Sequence, residues 1–66
     1  MFKENEFRAQ VVRAGKTMKE VAECLGVDES TVYRKIKANG DFSRDQINKL
    51  ISFLEIENPS FIFFAD

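Results

Sequence analysis

Six of the ten basic side chains in this 66-residue sequence, Arg13, Lys16, Lys19, Arg34, Lys35 and Lys37, lie between residues 13 and 37. No Lys or Arg follows Lys49, whereas Glu55, Glu57 and Asp66 do. Ammonium and guanidinium groups gathered in this way neutralise phosphates and release the counterions around a nucleic acid. The net charge of −1 and the pI near 5.4 argue mildly the other way. The distribution carries more weight than the sum, because a binding face needs charge only locally. Within the basic stretch, Glu29, Ser30, Tyr33, Arg34 and Lys37 lie mostly on one side of a helix-spaced segment, opposite Val32 and Ile36.

Other chemistries are excluded by what is missing. There is no histidine, and Cys24 is the single cysteine. The usual acid–base side chain, an internal disulfide and a Cys/His zinc set are therefore out of reach. Neither a pair of acids with a cleft to act in nor a glycine-rich phosphate loop is visible. The chain is expected not to be an enzyme and to use no cofactor or metal. Cys24 precedes a turn and is expected to be a half-buried structural thiol. No apolar run approaches the roughly 18 residues of a membrane span, and no secretory signal is expected. The predicted location is the cytoplasm of a prokaryotic cell or phage-infected host, with no membrane partner.

The elements that must position these side chains are helical, and 66 residues suffice for one domain spanning 1–66. A first helix is expected from about Asn5 to Ala14, with Phe7, Val11 and Ala14 on one face and Gly15 at its end. Arg8 and Arg13 fall off that face and read as surface charges. A second helix opens at Thr17, where Thr17 and Glu20 fit a capping box. Val21, Ala22 and Leu25 face inward, and Gly26 ends it. Asp28 is a good N-cap for a third helix, which Asn39 and Gly40 stop. Ser43 and Gln46 form a second capping box, followed by the stripe Ile47, Leu50, Ile51 and Leu54. Asn58 and Pro59 start a short last helix or turn carrying Phe61, Ile62, Phe63 and Phe64.

Residues 17–36 meet several demands at once. Two helices crossing steeply over a three- to four-residue turn need a small residue at closest approach, which Ala22 supplies. They need a residue that tolerates positive φ, which Gly26 supplies. They also need apolar side chains inside the angle: Val21, Leu25, Val27, Val32 and Ile36. The stretch TMKEVAECLGVDESTVYRKIKANG resembles the helix-turn-helix of the phage Cro/repressor (XRE) family, and FSRDQINKLISFLEIENPSFIFFAD resembles the helices that follow it in phage repressor domains. The resemblance implies an all-α, lambda repressor-like domain of about five short helices that binds operator DNA as a homodimer.

By the same resemblance, the third helix enters the major groove and Glu29, Ser30, Tyr33 and Arg34 contact bases. Arg34 would pair with guanine, Ser30 with a base or phosphate, and Tyr33 with a base or a thymine methyl. Glu29 would accept from cytosine, or act as a brake on non-specific affinity; Asp28 is explained by capping. Thr17, Met18, Lys19, Lys35, Lys37 and Asn39 are the expected phosphate contacts, the first two through free N–H groups at a helix start. The aromatic tail, Phe61, Phe63 and Phe64 with Phe53, is too large to hide behind one small domain and is expected to form a dimer contact over 57–66. Folding of the tail onto the monomer core is the other possibility.

The expected function is a Cro-like or repressor-like regulator from a phage or mobile element, acting by operator occlusion. The alternative is a protein-interaction module on the same fold, a repressor modulator or antitoxin, whose partner is another regulator protein. STVYRKIKANG also resembles the first helix-turn-helix of excisionase and MerR-like winged helices. A β-hairpin wing should then follow, and a capped amphipathic helix follows instead.

Overall fold

Thr17 and Ser43 each open a helix by a reciprocal exchange of hydrogen bonds. Thr17 Oγ1 accepts from the Glu20 N–H at 3.2 Å, while Glu20 Oε1 accepts from the Thr17 N–H at 2.9 Å. Ser43 and Gln46 repeat the pattern at 3.1 and 3.0 Å. Each box satisfies backbone donors that the first turn leaves without an intrahelical partner. In the computed structural model, which describes residues 1–64, these boxes begin α2 (Met18–Leu25) and α4 (Arg44–Phe53). The other helices are α1 (Glu4–Arg13), α3 (Glu29–Lys37) and α5 (Pro59–Phe63). All regular structure among the described residues is helical. None of these helices is long and apolar enough to cross a membrane.

Helix ends follow one repeated motif. Gly26 adopts φ +72°, its N–H donates to the Glu23 carbonyl, and the Val27 N–H donates to the Ala22 carbonyl. This pair of hydrogen bonds closes the last turn and sends the chain onward at a new angle. Gly15 does the same for α1 at φ +71°. At the end of α4 the left-handed residue is Glu55, φ +52°, with Glu55 and Ile56 N–H groups donating to Ser52 and Ile51. A residue with a Cβ is costly there.

The core is continuous. Phe7, Val21, Val32, Ile36, Leu50 and Leu54 are fully buried, and Val11, Ala22 and Leu25 join them. α1 starts and stops one residue earlier than the 5–14 expected. The α4 stripe divides: Leu50 and Leu54 point inward, whereas Ile47 and Ile51 are half-buried at the rim.

Aromatic packing corrects the sequence expectation for the tail. Phe63 is a core residue, 6% exposed, and so is not a surface available to a second copy. Its ring meets Phe2, Phe7 and Phe42 at centroid distances of 5.8, 6.3 and 6.4 Å. The other three pairs of that quartet lie at 5.6 to 6.1 Å. Phe2, Phe42 and Ile56 are core members that periodicity did not reveal, because each lies outside the helical stripes. The last two residues of the expected dimer segment, 65 and 66, lie outside the described residues.

Candidate nucleic-acid interface

A short turn joins α2 to α3. Ala22 is buried, 3% exposed, and three residues, Gly26, Val27 and Asp28, separate the helices. Val32 and Ile36 bury one face of α3. Glu29, Ser30, Arg34 and Lys37 are exposed on the helix, and Tyr33 is half-buried among them. Three of the four expected base-contacting residues are thus exposed, and Tyr33 is half-buried.

Asp28 occupies the N-cap position with extended backbone (φ −72°, ψ 151°), but its side chain makes no capping hydrogen bond. The capping explanation for Asp28 therefore fails. Its carboxylate and that of Glu29 stand exposed at the start of α3, where they complement the helix dipole and repel phosphate.

The expected phosphate contacts separate into groups. Lys19 is exposed and pairs with no acid among the described residues. Lys35 is half-buried, and its ammonium donates to the Asp41 carbonyl at 3.2 Å. The Gly40 and Asp41 N–H groups donate to the Lys35 carbonyl, so this lysine organises the 38–41 loop. Lys37 reaches across to Glu4 of α1, with Nζ 3.3 Å from Oε2. Asn39 holds φ +61°, and its Oδ1 accepts from the Phe2 N–H at 3.3 Å. The Thr17 N–H is occupied by the Glu20 carboxylate, which also puts negative charge at the start of α2. Met18 is half-buried against the core. Thr17 therefore does not offer the free N–H expected of it.

α1 enters the site in a way the sequence did not suggest. Arg8 is not a plain surface charge: its guanidinium lies over the Tyr33 ring, Cζ 5.4 Å from the centroid. Its Nε also donates to Glu4 Oε2 at 3.0 Å. Hydrogen bonds from Arg8 and then from Lys37 hold the Glu4 carboxyl below the usual glutamate range. The i, i+4 spacing of Glu4 and Arg8 was legible; that their neighbour would be Tyr33, 25 positions after Arg8, was not.

The remaining aromatics lie elsewhere. Phe53 is half-buried beneath the Lys16 ammonium, 4.8 Å from its ring centre. Phe61 and Phe64 are exposed, at 45% and 63%. Phe64 borders a cleft of about 520 Å³ with Ile47, Ile51 and Pro59. Cys24 is half-buried on another side, near Phe53 and Lys49. Among the described residues no three His, Cys, Asp or Glu side chains gather as metal ligands. No family model, curated protein or solved structure matches the chain.

Proposed function

We propose that this chain is a sequence-specific duplex-DNA-binding regulator with a lambda repressor-like domain, and that α3 is its recognition helix. The observation that carries this reading is the division of α3. Val32 and Ile36 are buried, while Ser30 and Arg34 face solvent on a helix joined to α2 by a three-residue turn. An α-helix fits the major groove, and arginine there can bind guanine O6 and N7 together. Phosphate contacts are fewer than the count of bases suggests. Lys19 and Arg34 pair with no acid among the described residues, whereas Lys35 and Lys37 would have to leave Asp41 and Glu4.

The domain extends 28 × 23 × 20 Å. Successive half-sites on one face of DNA lie about 34 Å apart, so one chain covers one half-site and a dimer covers two. The exposed Phe64, beside the half-buried Ile47 and Ile51, and the exposed Phe61 are the side chains we assign to that dimer. Occlusion of a promoter by such a dimer is the proposed mode of regulation.

A second reading, an interaction module that modulates another regulator, is favoured by one observation: Asp28, Glu29 and Glu20 put three carboxylates at the starts of α2 and α3. Selection from a randomised duplex pool, followed by gel shifts across a salt series, separates the two. The regulator reading expects one enriched motif, and loss of at least about ten-fold in affinity for it on Arg34→Ala, the discrimination of one bidentate base contact. No enrichment even at low salt would remove it and leave the interaction module.

A further inference from the structure

Tyr33 is half-buried on α3, among exposed residues, and a side chain on a surface helix normally samples several rotamers. A group that reads a base edge must instead be held in one orientation. The structure supplies a holder from outside the α2–α3 unit. The Arg8 guanidinium lies over the ring at 5.4 Å, and Glu4 fixes Arg8 through a 3.0 Å bond to Nε. The same carboxylate takes Lys37, one turn beyond Tyr33, at 3.3 Å. One acid on α1 therefore ties down both cations that flank Tyr33.

We propose that Arg8 is a positioning residue for Tyr33, fixing the ring's orientation and so setting base preference at the step Tyr33 meets. This rests on the duplex-binding reading above. Arg8 acts through the ring and not by touching phosphate, because its guanidinium is already shared between Glu4 and the aromatic face. Glu4 is the anchor, and its loss should act in the same direction as loss of Arg8.

The test uses the duplex enriched from the random pool, with wild type, Arg8→Ala, Tyr33→Leu and the double variant, plus Glu4→Gln as a milder release of Arg8. Thermal unfolding of each variant shows that it is folded. We expect Arg8→Ala to weaken binding to the enriched duplex by about two- to five-fold, the size of an exposed cation–π contact. It should flatten preference at one base step and leave random-duplex affinity and the salt slope unchanged. In the Tyr33→Leu background, Arg8→Ala should change nothing further. Equal losses in both backgrounds, or a shallower salt slope, would overturn the proposal in favour of direct phosphate contact. Tyr33 is the single tyrosine and there is no tryptophan, so its ring resonances and fluorescence report on the stack without DNA. Unchanged signals in Arg8→Ala would overturn the stack itself. Signals that shift on Arg8→Ala, with a wild type that enriches no duplex, would instead remove the reading beneath it.

Discussion

Phe2 and Phe63, 61 positions apart in sequence, pack ring against ring with centroids 5.8 Å apart and planes inclined by 39°. The backbone beside them joins as well: the Lys3 N–H donates to the Ile62 carbonyl at 2.8 Å. The start of α1 and the end of α5 are thereby clasped over Phe7 and Phe42. Aromatic pairs in such tilted arrangements contribute about 0.5–1.5 kcal/mol beyond the area they bury. For a domain this small, that clasp is a sizeable part of the total.

Truncation of Phe63 tests the clasp directly. Phe63→Ala should cost about 3–5 kcal/mol, the range for a buried phenylalanine. That equals the whole stability expected of a core this size, about 3–5 kcal/mol, so the variant should be largely unfolded by circular dichroism at room temperature. Phe64→Ala, on the exposed neighbour, should stay within about 0.5 kcal/mol of wild type when both are dilute enough to be monomeric. Comparable melting of the two variants would contradict the placement of Phe63.

Three glycines share one backbone conformation but not one environment. Gly15, Gly26 and Gly40 have φ of 71°, 72° and 72°. A Cβ at Gly15 or Gly26 meets open space, whereas at Gly40 it runs into the Phe2 ring. Gly15→Ala and Gly26→Ala should each cost about 1–2 kcal/mol from φ alone. Gly40→Ala should cost about 1–3 kcal/mol more, because the clasp must shift. Denaturant midpoints of the three variants give the comparison.

Glu55 carries the opposite expectation. It holds φ +52° at the end of α4, where glycine is the usual occupant. Its neighbour's carbonyl is also served from α1, since Gln10 Nε2 donates to Leu54 O at 2.7 Å. Glu55→Gly removes left-handed strain at the expense of added freedom in the unfolded chain. The net should be a gain of about 0.5–1 kcal/mol, and a melting temperature higher by roughly 4 °C. A drop would mean that the carboxylate has a role its contacts do not disclose.

Acid should loosen the tie between α1 and α3. The folded-state pKa of Glu4 is lowered by hydrogen bonds from Arg8 and Lys37, so the pair stabilises the fold above the unfolded glutamate value. That contribution is lost as pH falls through the lower, folded value. The group is solvent-screened, so the effect on melting is small, and the better readout is local. Tyr33 ring resonances should move with a midpoint below the ordinary glutamate value of about 4.3. Glu4→Gln should abolish that transition; its persistence would assign the titration to another acid.

The sequence by itself determined the helices and their limits. Capping boxes at Thr17 and Ser43, glycines at 15 and 26, and proline at 59 are local devices, each acting through bonds within a few residues. The small Ala22 with Val21, Leu25, Val32 and Ile36 likewise fixed which faces of α2 and α3 meet. The polar face of α3 was legible for the same reason, since it is simply the side left over. Only the tertiary structure decided which charges remain available and which aromatics remain outside. Lys37 meets Glu4, Arg8 meets Tyr33, and Phe63 meets Phe2, through contacts whose partners share no local spacing. Helical periodicity says that a residue points away from its own helix's core. Whether it then finds water, a carboxylate or another ring depends on how distant segments fold back, and that is set by the summed packing of the whole chain.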